Sequence, residues 1–296
     1  MRIVSLVPSA TEWLFALGLG SEVIAVTHEC DHPAQALTLP KVTRDTLPAG
    51  LSAGQIDAAV RARTQHGETI YELDEPKLHA LQPDLIVTQA LCAVCAVSYD
   101  DVVAIAARID SRPRVISLDP TTLGEALGDV RTLAEATGRR DAGVDLIADA
   151  SARIDRVRLA VREQPLLKVA ALEWLDPVYI AGHWTPQLIE YAGGFDVLGL
   201  PGEPSERRSW EQIAEAEPDV VIVMQCGYDA ERAHTEALLF GERLAAIGAG
   251  EVVAVDASSY FSRPGPRLVD GLELMAHILH PAAFPTAPSE PLTVDL

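Results

Sequence analysis

The feature that most constrains this chain is a proline-free stretch from Thr122 to Gln164, because the segments on either side of it are written on one plan. Leu123, Leu127, Val130 and Leu133 recur at three- and four-residue steps, and Val144, Ile147, Ile154, Val157 and Val161 continue the pattern, so both series read as helices. Gly138 followed by Arg139-Arg140-Asp141 ends the first helix and opens the second, and Pro165 stops it. From Arg140 to Glu163 the second helix is about 36 Å long at 1.5 Å per residue, long enough to run from one lobe to another.

Before the divider, Arg2–Val7 reads as a buried strand, Pro8-Ser-Ala-Thr-Glu12 opens a helix ending at Gly18, and Val23–Val26 is a strand. After it the order repeats: Lys168–Leu172, a helix opened by Thr185-Pro186 and closed by Gly193-Gly194, then Asp196–Leu198. Pro83–Gln89 and Pro218–Gln225 are matched strands further along, and Arg114–Leu118 and Glu251–Val255 close each half. Strands alternating with helices predict an α/β fold: two lobes, each with a mostly parallel sheet, facing each other across a cleft. The expected boundaries are 1–121 for the first lobe, 122–166 for the linking helices and 167–296 for the second lobe. The proline-rich stretch from Pro281 is expected to be a loosely held tail. Leu51–Asp74 has no counterpart in the second half and reads as an insertion carrying a helix and the short strand Thr69–Leu73.

The chain's 296 residues, 48% of them hydrophobic, can fill two cores. A net charge of −20 argues against nucleic acid or anionic membrane as a partner. No apolar run approaches the roughly 20 residues that span a bilayer. Because strand character begins at Arg2, with no leader pattern before it, the expected location is cytoplasmic, or periplasmic or cell-surface if a leader was omitted.

In an open parallel sheet, ligands bind beyond the carboxyl ends of the strands. All four cysteines fall there: Cys30 in Thr27-His-Glu-Cys-Asp-His32, Cys92 and Cys95 in Ala90-Leu-Cys-Ala-Val-Cys95, and Cys226 in Cys226-Gly-Tyr-Asp229. Cys92-x-x-Cys95 precedes a helix from Tyr99, whose amino end would favour thiolates. Three readings stay open: buried small residues, a metal set of Cys30, Cys92, Cys95 and Cys226 holding zinc or an iron–sulfur cluster, or a redox dithiol. His28, Glu29 and His32 lie on the same edge. Glu173, Trp174 and His183 come after the first strand of the second half, His183 in a turn at a helix mouth. Trp174, Tyr179 and Trp184 are either core aromatics or a platform for a flat apolar ligand. Tyr260, Phe261 and Arg263, in the rigid loop Ser258–Arg267, are expected to face the cleft, with Arg263 placed to anchor a carboxylate or amide.

Val4–Glu12, Ala80–Val87, Glu211–Asp219 and Tyr260–Arg267, in that order, resemble the periplasmic-type iron-siderophore, haem and vitamin B12 binding proteins, a likeness covering nearly the whole chain. His-Glu-Cys-Asp, Cys-Ala-Val-Cys-Ala-Val-Ser and Ala-Gly-His-Trp are similar to stretches of its cobalamin-binding branch. The resemblance implies two lobes joined by one long helix and a corrinoid ligand in the inter-lobe cleft. It also implies an ABC permease as partner to a single chain. It places Ser9 and Ala10 in the first pocket loop, Glu29 where such a binder has a pocket tyrosine, Trp174 near a pocket aromatic, and Tyr260 and Phe261 at the rim. Glu75 and Glu211 match the glutamates that dock on the permease.

The expectation is therefore a receptor for a metal-bearing compound, cobalamin or a related corrinoid. The alternative is a cytoplasmic metalloprotein or enzyme with a cysteine-ligated zinc or iron–sulfur site. No phosphate loop, dinucleotide fingerprint or Ser-His-Asp order points to a common hydrolase, kinase or dehydrogenase.

Overall fold

The computed structural model describes residues 1–48, 50–65, 69–90 and 98–296. Contacts divide the chain into one unit of Met1–Pro120 with Leu127–Ile147 and a second of Thr121–Ala126 with Ala148–Leu296.

The first unit runs β1 (Ile3–Ser5), α1 (Pro8–Ala16), β2 (Val23–Val26), β3 (Thr43–Asp45), α2 (Ala53–Gln65), β4 (Tyr71–Leu73), α3 (Glu75–Leu81), β5 (Leu85–Thr88), α4 (Tyr99–Ala106) and β6 (Arg114–Ser117). Its main sheet has the order β2-β1-β5-β6, all parallel. The short strands are almost unbroken apolar runs because both faces are covered, and successive residues serve different cores. Ile3, Leu85, Val87 and Ile116 pack with Trp13 and Leu14 of α1 and with Val130, Leu133 and Ala134. Val4, Ala25 and Ile86 pack on the other side with Leu78 of α3 and Val102, Ile105 and Ala106 of α4. β3 and β4 form a separate antiparallel pair, Thr43 opposite Leu73 and Asp45 opposite Tyr71.

Two helices come next, α5 (Leu123–Thr137) and α6 (Arg140–Val161), as the proline-free stretch predicts. Gly138 takes a left-handed φ of 71°, which turns the chain between them. Gly143 lets the two helices approach closely: a Cβ there would lie 2.6 Å from that of Ala134. α6 has 22 residues and is about 33 Å long. The unit boundary falls within it, after Ile147.

The second unit continues with β7 (Leu167–Leu175), β8 (Val178–Ile180), α7 (Thr185–Tyr191), β9 (Gly194–Asp196), β10 (Glu206–Arg207), α8 (Trp210–Glu215), β11 (Val220–Val223), α9 (Ala230–Leu239), α10 (Gly241–Ile247), β12 (Glu251–Ala254), α11 (Ala257–Tyr260), α12 (Leu268–Leu279) and β13 (Leu292–Thr293). β9, β7, β11 and β12 are parallel neighbours in that order, the counterpart of β2-β1-β5-β6. Ala170, Leu172, Val221, Val223, Val252 and Ala254 pack against Ile213 of α8, Ala233 and Ala237 of α9, and Leu244 and Ile247 of α10. Within this unit Arg153 of α6 bonds Glu273 of α12 at 2.7 and 3.0 Å and also pairs with Asp270, while Arg156 reaches Glu273 at 2.6 Å.

One backbone device appears in both units. Asp84 donates its N–H to the carbonyl of Arg2 and accepts the Arg2 N–H on its carboxylate at 2.7 Å; Asp219 does the same with Lys168, the carboxylate contact being 2.8 Å. Each carboxylate thus closes the start of two neighbouring strands and sets their register, Ile3 opposite Leu85 and Val169 opposite Val220. The internal repeat is therefore present down to single hydrogen bonds.

Two expectations are corrected. β7 does not end at Leu172: antiparallel pairing with β8, Trp174 opposite Tyr179 and Leu175 opposite Val178, carries it to Leu175, so Glu173 and Trp174 lie within the strand. The tail after Pro281 is not loose at its end, because β13 pairs antiparallel with β12 and Val294, 4% exposed, donates to the carbonyl of Val252.

Candidate functional site

In each unit the chain leaves the central strands on opposite sides, and the carboxyl edge at that switch point is where a ligand fits a parallel sheet. On the first unit the edge carries His28 and Glu29, in the turn after β2. The β3–β4 pair folds over them. Thr43 of β3 accepts the His28 backbone N–H on its hydroxyl at 3.1 Å, and the same oxygen lies 2.8 Å from His28 Nδ1. Tyr71 of β4 donates its hydroxyl to Glu29 Oε1 at 2.8 Å, and its ring meets the His28 ring at 5.1 Å between centroids, tilted by 59°. Tyr71 is absent from the sequence-based candidates. Nothing in its apolar-strand setting marks it, since the partner that makes it polar chemistry lies 42 residues earlier.

Other expected residues of this unit sit deeper. Ala10 is fully buried in the core and Ser9 is 5% exposed, because the pocket loop expected there is already the first turn of α1. Cys30 is 1% exposed, with its sulfur 3.1 Å from Thr11 Oγ1 and 3.2 Å from Thr27 Oγ1. Burial pushes its thiol pKa up, against the pull of those two hydroxyls. That environment favours the neutral thiol over the thiolate a metal requires. Cys92 and Cys95 lie outside the described residues. Among the described residues no three His, Cys, Asp or Glu side chains gather as a metal-ion site.

On the second unit the corresponding edge is aromatic. Trp174, half-buried, donates Nε1 to the Asp176 carbonyl at 3.0 Å and meets Tyr228 edge-on at 5.6 Å. The Arg232 guanidinium stacks 3.6 Å from the centre of the Tyr228 ring. Burial, and after it the charge of Glu236, raises the Tyr228 pKa. Cys226, exposed, comes after β11 and donates its N–H to the Glu173 carbonyl at 3.1 Å. Beside it Gln225 is fully buried with both amide atoms unpaired within the described residues, a polar group that no sequence signal separates from an ordinary strand end.

His183 stands just before α7 as expected, held in a left-handed backbone at φ 52°. Its N–H donates to the Glu203 carbonyl at 2.6 Å and its own carbonyl accepts from Gly202 at 2.9 Å. Nδ1 is buried without a partner among the described residues, and burial lowers the ring's pKa, which favours the neutral imidazole. Left-handed backbone and an orphaned buried nitrogen in one residue make His183 a candidate site residue. Its neighbour Trp184 is 7% exposed, with Nε1 donating to the Phe261 carbonyl at 2.8 Å. Phe261 is 4% exposed, its ring against Gly271 of α12. Trp184 thus takes the core alternative, and Phe261 is a core residue where a rim aromatic was expected; Tyr260 and Arg263, half-buried, remain near the surface of that loop.

The two expected docking glutamates open equivalent helices, α3 before β5 and α8 before β11. Glu75 pairs with Arg108 at 2.9 Å and lies 3.6 Å from His79. Glu211 is exposed beside the Ser209–Gln212 capping box, and its hydrogen bond with Ser209 lowers its pKa.

Comparison with known proteins agrees with this fold. The chain is 25% identical to a vitamin B12-binding protein of Vibrio cholerae serotype O1 over 281 residues, spanning 92% of this chain and 86% of that protein. It is 23% identical to an ABC transporter substrate-binding lipoprotein of Bacillus subtilis, over 96% and 81% of the two chains. Among solved structures, the periplasmic vitamin B12 binding protein of Vibrio cholerae superposes with a TM-score of 0.68 at 22% identity, covering 94% of this chain and 96% of that one. A periplasmic heme binding protein of Pseudomonas aeruginosa gives 0.67 at 20% identity, covering 100% and 98%. The periplasmic binding protein model matches residues 3–245, and the chain therefore belongs to the periplasmic binding protein family.

Proposed function

We propose that this chain is the substrate-binding component of an ABC importer and that its ligand is a corrinoid of the cobalamin class. The observation that carries this reading is the likeness to vitamin B12-binding proteins along 92% of the chain. Each carboxyl edge, taken by itself, carries groups that suit part of such a ligand: imidazole and hydroxyl groups on the first unit, and aromatic faces and a guanidinium on the second. The ligand-contacting residues are His28, Glu29 and Tyr71, together with Trp174, His183, Tyr260 and Arg263. Glu75 and Glu211 are the permease-docking residues.

Relatives described as periplasmic or as a lipoprotein favour an exported protein over the cytoplasmic one expected from the first residues. Among the described residues no helix is long and apolar enough to cross a membrane. The thiolate-enzyme alternative gains nothing from a Cys30 buried between two hydroxyls.

Cobalamin and haemin, added separately to the purified chain, test the ligand. Cobalamin is expected to raise the melting temperature by mass action and to be retained on a desalting column. Stabilisation by haemin alone, or by neither, overturns the corrinoid reading.

A further inference from the structure

We infer that His28 supplies an axial ligand, through Nε2, to the metal of the bound corrinoid, so that the chain selects corrinoids with an exchangeable axial position over those firmly capped on both faces. This rests on the corrinoid reading above and assigns the first unit's part in it.

A metal-binding histidine is normally held by a hydrogen bond from its other ring nitrogen, which fixes both tautomer and ring plane. His28 has that arrangement. Thr43 Oγ1 takes the residue's backbone N–H at 3.1 Å and lies 2.8 Å from Nδ1, so one buried hydroxyl clamps main chain and ring together. In the tautomer that a metal would select, Nδ1 gives its proton to Thr43 and the lone pair is on Nε2. That nitrogen has no hydrogen-bond partner among the described residues. Tyr71, tilted against the ring at 5.1 Å, limits its rotation.

The neighbouring donors are otherwise engaged. Tyr71 gives its hydroxyl proton to Glu29 at 2.8 Å, and the Cys30 sulfur is enclosed by Thr11 and Thr27. Imidazole is a good ligand for a first-row transition metal of this softness, whereas an exposed carboxylate suits harder ions. The step is a simple exchange: the Nε2 lone pair forms a cobalt–nitrogen bond, the bond from cobalt to a coordinated water breaks, and the water leaves. The Nδ1 proton stays on its bond to Thr43 and no electron changes hands. Cyanide on the same face does not leave as readily, which makes the ligand exchange a selection.

The test uses the full, untagged chain with aquocobalamin, and cyanocobalamin as control. The wild type is expected to shift the visible bands of aquocobalamin, to leave those of cyanocobalamin unmoved, and to bind the former about tenfold or more tightly. That preference is the low end of the 10- to 100-fold effects seen when metal sites lose a supporting contact. His28→Gln should keep its melting temperature and still bind both compounds, with no shift and no preference. Thr43→Val, which keeps the histidine and removes its clamp, should weaken aquocobalamin binding by about tenfold. Binding without a shift, a shift that persists in His28→Gln, or one removed by Tyr71→Phe or His183→Gln instead, overturns this inference and leaves the corrinoid reading standing. Failure to bind either compound overturns both. Should His28→Gln fold poorly, a Co(II) corrinoid lacking its lower base, bound to nitrogen-15-labelled wild type, decides: magnetic coupling of cobalt to a protein nitrogen is expected, and its absence overturns the inference.

Discussion

The two units share a four-strand parallel core and differ at its edges. In both, an aspartate after a proline, Asp84 or Asp219, ties the start of two strands, and the order of the four core strands is the same. The first unit then adds the detached β3–β4 pair, which carries Thr43 and Tyr71 to His28 and Glu29. The second instead extends β7 into a hairpin with β8, adds β10 and β13 to the sheet, and binds α12 to α6 through Arg153. What repeats is backbone; what differs is the chemistry hung on it. A duplicated scaffold with unlike loops is how one fold carries two different chemistries.

The sharpest way to break this equivalence is to empty both cores. Ile86→Ala and Leu172→Ala, each at a fully buried strand position, are expected to cost about 2–5 kcal/mol apiece in urea unfolding. A loss confined to one of them would show that the units are not equally cored. Next comes the ion network that belongs to the second unit. Arg153→Met should cost about 1–3 kcal/mol, since charged hydrogen bonds at a half-buried pair are lost. Burial alone would raise the Glu273 pKa, but Arg153 and Arg156 outweigh it and hold the carboxyl below its ordinary value. The network's contribution is therefore complete above the usual carboxylate range and falls as pH drops through the lowered value. Acid unfolding measured in wild type and Arg153→Met should converge at low pH; curves that stay parallel would remove this account.

A smaller effect sharpens the repeat itself. Asp84→Ala and Asp219→Ala should each lose about 1 kcal/mol, because each forfeits one hydrogen bond to a backbone N–H at the surface. Unequal losses would mean that the two aspartates, though alike in geometry, support different loads. The smallest expected change is at Glu211→Gln, which should leave stability within about 0.5 kcal/mol of wild type, the range for surface sites. Transport by the permease should nonetheless fall, and unimpaired uptake would argue against the docking role.

Much of the scaffold was legible because parallel strands buried on both faces must be written as short apolar runs, and Ile3–Ser5, Leu85–Thr88 and Val220–Val223 are such runs. Gly138 marked the helix break because left-handed backbone is where glycine is needed. The β7–β8 hairpin was not legible: Glu173 interrupts the apolar pattern, and only pairing with Tyr179 and Val178 makes Trp174 and Leu175 strand. β13 was hidden in a proline-rich stretch for the same reason, since its strand character comes from β12. His28, Glu29 and His183 were singled out as candidates by their position after strand ends, and they remain candidates. Phe261 is buried where a rim residue was expected, and Trp184 takes the core one of its two readings, because an aromatic near a loop reads alike whether it faces a ligand or, as here, locks one loop to another through the Trp184 N–H. Tyr71 and Gln225 carried no local signal; a hydrogen bond to Glu29 far back in the chain marks the first, and a buried amide unpaired among the described residues marks the second.

The account stands on the identity of the ligand, and equilibrium dialysis of the full chain against cobalamin measures it most directly. A single saturable site is predicted, with wild-type affinity reduced in Trp174→Ala and His183→Ala chains that remain folded. Dialysis in which cobalamin distributes equally on both sides of the membrane, while haemin or another metal-bearing compound is concentrated by the protein, would contradict it.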